Sequence, residues 1–255
     1  MTDFPGDAGG IPVVALDTVG STNEEALARA KAGEAGPLWI VAERQTAGRG
    51  RRGRTWVSEP GNLYASLLLT DAAPPAAVSG ICFVAALALH DALLDAAHGL
   101  APAQLKLKWP NDVLLDGRKV AGILVEGVSV SRDRSTAVVG FGVNCRRHPD
   151  QAGYPATDLA AAGFGVSAGA LLNALGPAMA QRMQEWRRGS DFSSVRAAWL
   201  ARASGVGSEI QVRLGDRTIA GTFEAIDPSG ALVLARNDGT RETVAAGDVF
   251  PLTPR

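Results

Sequence analysis

Two short segments hold most of the residues that could do chemistry, and the first is an arginine-rich loop. Residues 46–56, TAGRGRRGRTW, place four arginines among three glycines and end on Trp56. Glycines let a backbone bend sharply and approach a ligand closely, and the guanidinium groups between them can converge on one phosphate or carboxylate. The indole adds a flat surface within reach of the same ligand. The segment favours an anion-binding loop over a solvated loop without a role.

Other functions fit this loop less well. GRGRRG (48–53) formally matches the dinucleotide fingerprint GxGxxG, but that fingerprint must open a helix, whereas the sequence that follows is typical of a turn and a strand. The chain contains no GxxxxGK[ST] P-loop. Its 25 basic and 26 acidic residues give a formal net charge of -1, so the extended basic face of a nucleic-acid-binding protein is not expected.

The second segment, residues 106–127, reads KLKWPNDVLLDGRKVAGILVEG. A cation, an aromatic ring, a rigid corner, an amide and a carboxylate stand in five consecutive positions: Lys108, Trp109, Pro110, Asn111 and Asp112. Asp116-Gly117 is typical of a tight β-hairpin turn, so strand pairing should return Lys119 toward Asp112, with Gly122 close behind. A hairpin with ordinary surface charges is the alternative, but polar residues that interrupt a buried-looking strand favour a functional cluster.

Metal, thiol and membrane functions receive little support. The three histidines, His90, His98 and His148, show no metal-ligand spacing and are expected to be structural or surface residues. Cys82 and Cys145 are expected to be buried free thiols. The first 14 residues lack the features of a signal peptide, and the longest apolar stretch, VSGICFVAALALHDALL, is short for a membrane span and carries a His and an Asp. A soluble, cytoplasmic protein without membrane contact is the expectation.

Hydrophobic spacing and turn residues predict the elements that must position these segments. Strands are expected at 11–16, 38–43, 62–69, 105–109, 113–130 (a hairpin turning at 116–117) and 135–145. Helices are expected up to Gly33, at 76–97, at 167–188 and at 192–203, with Trp186 and Trp199 as packing anchors. Ser21 and Glu24 form the capping-box pattern at the start of the first helix. From about Ser208, short strands between Gly and Asp turns predict a small β-barrel or sandwich.

Together these segments resemble the biotin protein ligase family, also called biotin–[acetyl-CoA-carboxylase] ligases. The matching pieces lie between residues 15 and 145 in the family's order: GSTNEEA (20–26), AERQTAGRGRRGRTW (42–56), NLYASLLL (62–69), KWPNDVLLDGRKVAGILVE (108–126) and GFGVN (140–144). The C-terminal segment, including AAGDVF (245–250), resembles the SH3-like barrel that ends these enzymes. GRGRRGR and KWPND in one chain are highly specific together.

The resemblance implies an α+β fold with two domains. Residues 1–205 would form a mixed β-sheet catalytic domain related to class II aminoacyl-tRNA synthetases, and residues 206–255 a small C-terminal SH3-like β-barrel. It also implies a two-step reaction. The carboxylate of biotin attacks the α-phosphate of ATP to give biotinyl-5′-AMP and pyrophosphate, and a lysine of a biotin carboxyl carrier protein then attacks the adenylate and releases AMP. Mg²⁺ would enter with the phosphates of ATP.

The resemblance also implies roles for individual residues. The catalytic set is Lys119, Arg51 and Asp112, with Asp112 helping to deprotonate the incoming lysine. The biotin-binding set is Ser21, Thr22, Asn23, Gln45, Gly48, Arg49, Gly50, Arg51, Lys119 and Gly122. The ATP and adenylate set is Arg49, Arg51, Arg54, Trp56, Asn111, Lys119 and Asn144. Fixed cations suit this chemistry because a carboxylate and a triphosphate repel each other.

Several further expectations follow from the resemblance. Residues 46–55 should be mobile without ligand and ordered over the adenylate, because water would hydrolyse it. Only about ten residues precede the first predicted strand, so a ligase-only protein that does not bind DNA is expected, as a monomer or a homodimer. The alternative activity is a lipoate- or octanoate-type carrier-protein ligase of the same superfamily.

Overall fold

The computed structural model describes residues 3–129, 135–150 and 153–252, which form two β-sheets and four α-helices. The first sheet contains β1 (Asp7–Ala8), β2 (Ile11–Val19), β3 (Leu38–Gln45), β4 (Leu63–Thr70), β5 (Leu105–Lys108), β6 (Asp112–Leu115), β7 (Arg118–Ser129) and β8 (Ser135–Val143). The helices are α1 (Thr22–Lys31), α2 (Ile81–Ala96), α3 (Ala168–Trp186) and α4 (Phe192–Leu200). The second sheet contains β9 (Glu209–Leu214), β10 (Arg217–Ile226), β11 (Leu232–Ala235), β12 (Arg241–Val244) and β13 (Asp248–Pro251).

The large sheet is mixed, as predicted. Its strand order is β1-β2-β3-β4-β8-β7-β6-β5, and β2 pairs with β3 in parallel while the other neighbours are antiparallel. The second sheet is antiparallel throughout, in the order β12-β11-β10-β9-β13. This gives the α+β class with a small C-terminal β-domain of the SH3-like type.

Helices cover both faces of the large sheet, so its central strands are largely apolar on both faces, with a few polar residues such as Ser66 of β4. In β3, Leu38 and Ile40 pack with Ala26 of α1 on one face, while Trp39 and Val41 belong to the main core on the other. The main core also contains most of α2 together with Trp186 and Trp199, both almost completely buried. The two tryptophans are therefore the packing anchors that the sequence predicted.

Helix α2 forms the centre of this core. With the 3₁₀ turn before it, the stretch Pro75–Ala96 is long and apolar enough to cross a membrane, yet 67% of its most apolar window is buried inside the protein. The hydrophobicity of the stretch is thus accounted for by packing against the sheet. The expectation of a mostly buried helix at residues 76–97 is confirmed.

The β6–β7 hairpin has the predicted turn. Asp116 and Gly117 both have positive φ, at 48° and 76°, the combination that a type I′ turn requires. A register shift between Val113 and Leu114 pairs Asp112 with Gly122. Residue 130, the last of the predicted hairpin, lies outside the described residues.

Three local predictions need correction. Ser21 is the N-cap of α1, but within the described chain its side chain makes no capping hydrogen bond, and Gln45 Oε1 instead accepts from the Thr22 backbone N–H at 2.8 Å. The helix ends at Lys31, before Gly33. Cys82 is half-buried and donates from Sγ to the carbonyl of Pro110, whereas Cys145 is completely buried as expected.

Candidate active site

One pocket of about 340 Å³ collects nearly all the predicted functional residues, a size in the range of small-molecule sites. It lies between the start of α1, the arginine-rich loop, the β6–β7 hairpin, β8 and the barrel strand β13. The predicted residues in its lining are Ser21, Thr22, Asn23, Gln45, Arg49, Gly50, Arg51, Arg54, Trp56, Asn111, Asp112, Lys119, Gly122 and Asn144. Gly48 lies outside the lining.

Gly48 lies behind the pocket wall, where it allows a close approach of two backbone segments. A Cβ there would stand 2.4 Å from the carbonyl O of Trp56 and 2.5 Å from Ser58 Oγ, so only glycine lets the two arms of the loop cross at this point. The Trp56 N–H donates to the carbonyl of Gly48 at 2.8 Å. This bond closes the base of the arginine-rich loop.

The first end of the pocket is polar and buried. Ser66 Oγ lies 2.8 Å from Thr22 Oγ1 and 2.6 Å from Asn23 Oδ1, and the hydroxyl of Thr22 donates to Gln45 Oε1 at 3.0 Å. Asn23 Nδ2 donates to Glu126 Oε2 at 2.7 Å. These groups form a prearranged set of hydrogen-bonding atoms, which we call the polar end. Its one carboxylate, Glu126, is paired with Arg49 at 3.4 Å, so the net charge is low.

Two members of the polar end were missed in the sequence. Ser66 is completely buried inside strand β4, and Glu126 ends the apolar run of the β7 hairpin strand. The available signal was a single polar residue inside each apolar run, because a buried polar group needs hydrogen-bond partners. Their partners lie 43 and 103 positions away in the chain, which local patterns do not specify.

At the centre of the pocket, Lys119 returns to Asp112 as the hairpin predicted. Lys119 Nζ lies 2.7 Å from Asp112 Oδ1, and the two side chains are only 15% and 16% exposed. The same ammonium stands 5.2 Å from the ring centroid of Trp56 and 5.0 Å from that of Tyr154, distances at which cation–π attraction operates. One cation is thus held in place by a carboxylate and two aromatic faces.

The glycines of β7 and β8 make room for Trp56. A Cβ on Gly142 would lie 2.6 Å from Trp56 Cε2, and one on Gly122 would lie 3.2 Å from Cζ3. The indole therefore rests directly on the two glycine backbones. Asn144, also in the lining, donates from Nδ2 to the carbonyl of Thr157 at 3.0 Å, which anchors the segment carrying Tyr154.

The arginines of the loop point in three directions. Arg49 lies between Glu24 and Glu126, at 3.5 and 3.4 Å. Arg54 and Arg52 reach Asp248 in strand β13 of the barrel, at 2.7 and 3.7 Å. Burial raises the pKa of Asp248, but the hydrogen bond and charge of Arg54, with the charges of Arg52 and Arg51, outweigh burial and hold that pKa below its usual value.

Arg51 is the arginine that turns into the pocket. Its Nη1 lies 3.3 Å from Asn111 Oδ1 and 3.5 Å from the carbonyl of Gly247, and among the described residues no carboxylate comes within 4.0 Å of its guanidinium. Asn111 is fixed in turn by a 2.6 Å bond from Nδ2 to the carbonyl of Ile123. Burial lowers the pKa of Arg51, and the group remains a cation available to an anionic ligand.

The three histidines lie in different environments. His90 is buried, His98 is exposed, and His148 Nδ1 lies 2.5 Å from Asp158 Oδ2. The described ranges contain no group of three His, Cys, Asp or Glu side chains that could hold a metal ion.

Comparison with known proteins gives consistent matches. Residues 18–144 match the model of the biotin/lipoate A/B protein ligase family, and residues 205–250 match that of the biotin protein ligase C-terminal domain. The chain is 42% identical to a biotin–[acetyl-CoA-carboxylase] ligase of Paracoccus denitrificans over 242 residues, covering 90% of this chain and 96% of that one.

Two solved structures share both fold and sequence with this chain. A biotin protein ligase from Aquifex aeolicus in complex with biotin and ATP superposes with a TM-score of 0.76 at 26% identity, covering 93% of this chain and 97% of the other. One from Leishmania major in complex with biotinyl-5-AMP gives 0.63 at 26% identity, covering 92% and 98%.

Proposed function

The chain belongs to the biotin/lipoate A/B protein ligase family, and we propose that it attaches biotin to a lysine of a biotin carboxyl carrier protein, using ATP and passing through biotinyl-5′-AMP. The observation that carries the proposal is a single pocket with a hydrogen-bonding end of low charge beside a cluster of fixed cations. Biotin has matching ends, a ureido ring and a carboxylate. The acetyl-CoA carboxylase carrier is the expected partner, since the Paracoccus relative is named for it.

The polar end favours biotin over lipoate. Thr22 and Asn23 are buried and Gln45 is half-buried, and their amide and hydroxyl groups present donors and acceptors with which a ureido ring can bond through its N–H and C=O. A dithiolane ring has only weak sulfur acceptors and cannot bond to these amide and hydroxyl groups as a ureido ring can. The lipoate-type alternative is therefore less favoured.

In the first step, the biotin carboxylate oxygen forms a bond to the α-phosphorus while the bond to the bridging oxygen breaks, and its electron pair leaves with pyrophosphate. We assign Lys119 to the point where the carboxylate and the α-phosphate meet, and Arg51 to the phosphate side of it. Both cations are held before substrate arrives. Such preorganised donors stabilise developing charge without reorganisation during the reaction.

In the second step, a neutral lysine amine of the carrier attacks the acyl carbon, and AMP leaves. A lysine is mostly protonated at neutral pH, so a proton acceptor near the acyl carbon would assist. Asp112 engages Lys119 through Oδ1, which leaves Oδ2 for the incoming ammonium. We assign proton acceptance to this carboxylate, with Trp56 and Asn144 beside the adenine and the arginine-rich loop as the cover that excludes water.

Magnesium would enter with ATP. The described residues offer no three-ligand metal group, and Asp112 and Asp248 are already paired with cations. When bound to the phosphates, Mg²⁺ would neutralise charge on the departing pyrophosphate. We further propose that the enzyme works in the cytoplasm, as a monomer or homodimer, without binding DNA.

The direct test is incubation of the chain with biotin, ATP, Mg²⁺ and a biotin carboxyl carrier domain, followed by measurement of the intact carrier mass. One biotinyl group should be added, and the gain should vanish without ATP, with lipoate in place of biotin, or with a carrier whose target lysine is replaced by arginine. No gain, with a known ligase modifying the same carrier, would refute the function.

A further inference from the structure

Lys108 is a cation of the pocket that has no role in the two reaction steps proposed for Lys119, Arg51 and Asp112. It ends strand β5 and stands opposite Asp112 in the β5–β6 ladder, so it lies beside the Asp112–Lys119 pair. Its side chain is half-buried in the pocket lining. The ammonium stands 5.4 Å from the ring centroid of Phe250 in the barrel strand β13. Lys108 therefore lies where the catalytic domain meets the barrel.

Within the described chain, Lys108 Nζ has no hydrogen bond and no carboxylate within 4.0 Å. Burial lowers the pKa of its ammonium, and Lys119 and Arg54 lower it further, while the charges of Asp112 and Asp248 raise it. Those two carboxylates are each in contact with another cation, Lys119 or Arg54. A half-buried charge without a partner is unfavourable, and an anionic ligand would compensate it.

Lys108 shares this condition with Arg51. Arg51 reaches the carbonyl of Gly247 and Lys108 lies over the ring of Phe250, so both stand at the end of the pocket that faces the barrel. Among the described residues neither has a carboxylate within ion-pair distance. Cations thus outnumber carboxylates at this barrel-facing end. It lies away from the polar end formed around Thr22 and Asn23.

The geometry of phosphoryl transfer gives this end a role. The attacking and leaving oxygens lie roughly in line on opposite sides of the phosphorus. If biotin attacks from the polar end, pyrophosphate must depart toward the opposite end, where Lys108 and Arg51 lie. We propose that Lys108 binds the β- and γ-phosphates of ATP and then the departing pyrophosphate. The barrel would contribute to ATP binding indirectly, because Phe250 packs against this lysine and positions it. The proposal rests on the proposed ligase function.

The test compares Lys108→Met with Lys106→Met. Lys106 is the matched control because it lies two residues earlier on the same strand, is also half-buried, and stands outside the pocket lining. Lys108→Met should raise two quantities by about 10- to 100-fold: the KM for ATP, and the concentration of pyrophosphate needed to inhibit adenylation. This is the loss expected for a hydrogen bond to a charged group. The KM for biotin and the transfer from preformed biotinyl-AMP to the carrier should not change, and Lys108→Arg should recover most of the loss.

Two results would overturn the proposal: unchanged ATP and pyrophosphate dependence in Lys108→Met, or an equal loss in transfer from preformed biotinyl-AMP, which would indicate a structural or carrier-binding role. Failure of the ligase function itself would be distinct, because the unsubstituted chain would then leave the carrier unmodified.

A second measurement needs no variant. Lysines of the unsubstituted chain are acetylated with a limiting amount of acetic anhydride, with and without pyrophosphate, and peptide masses give the extent at each site. Pyrophosphate should protect Lys108 and leave Lys106 unchanged. Equal acetylation of Lys108 with and without pyrophosphate, over the range that inhibits adenylation, would refute direct binding.

Discussion

Replacing Lys119 by glutamine should separate catalysis from stability. Its ammonium lies 2.7 Å from Asp112 in a pair that is about 15% exposed, so water screens the charge poorly and it acts strongly on nearby anions. Loss of one preorganised donor of this kind costs roughly 100- to 1000-fold in rate. The same change leaves Asp112 partly buried without its cation, which should lower the free energy of unfolding by about 1–3 kcal/mol. Both effects come from the loss of one ammonium group.

A double variant distinguishes the two effects. Asp112→Asn together with Lys119→Gln removes both charges, so an amide pair of similar shape should recover most of the stability while adenylation stays slow. Single-turnover formation of biotinyl-AMP gives the rate, and urea unfolding gives the stability. Lys106→Gln is the control for loss of a lysine elsewhere in the same sheet, on strand β5. Adenylation by Lys119→Gln within about threefold of the unsubstituted rate would refute the electrostatic role. Recovery of that rate in the double variant would refute it as well.

Three further outcomes follow from the site. Gly142→Ala would place a Cβ 2.6 Å from the indole of Trp56, so the ring must move. The KM for ATP should rise, and the tryptophan fluorescence spectrum should change. An unaltered fluorescence spectrum would contradict this packing. Ser66→Ala removes the hydroxyl that lies between Thr22 and Asn23. It should raise the KM for biotin about tenfold and leave the KM for ATP almost unchanged. An equal rise in both KM values would count against a separate polar end. Asp248→Asn should speed tryptic cleavage after Arg54 at neutral pH. The pKa of Asp248 is depressed in the folded state, so its ion pairs stabilise the protein above about pH 4 and lose this effect as the pH falls further. The difference in urea stability between the variant and the unsubstituted chain should therefore vanish at low pH. A difference that persists there would show that charge is not the cause.

The features that the sequence predicted well are those set by neighbours in the chain. Asp116-Gly117 specifies a turn with two positive φ values, and the hairpin that it closes brings Lys119 back to Asp112. Continuous apolar runs likewise predicted the buried strands β3 and β4. Trp186 and Trp199 were identified as core residues because large aromatic side chains in apolar helices gain most from burial.

Features that depend on distant partners were not predictable in this way. The cap of α1 comes from Gln45, 23 positions beyond Thr22, although a local capping pattern was present at Ser21. The partner of Arg54 is Asp248, 194 positions away, and no periodicity links a loop to a strand of the second sheet. Such contacts depend on how the sheets pack, which is decided by the whole core.

The same contacts support the proposal that one loop both carries cations and covers a ligand. Arg49, Arg52 and Arg54 are 37–52% exposed, and exposed ion pairs contribute only about 0–1 kcal/mol each, so these arginines can exchange carboxylates for phosphates at little cost. Lys119 is held by a carboxylate and two rings at low exposure, so its position is fixed before substrate enters. A reaction between two anions needs fixed charge where the bond forms, and a cover that can open needs exchangeable charge. The division between the hairpin lysine and the loop arginines supplies both.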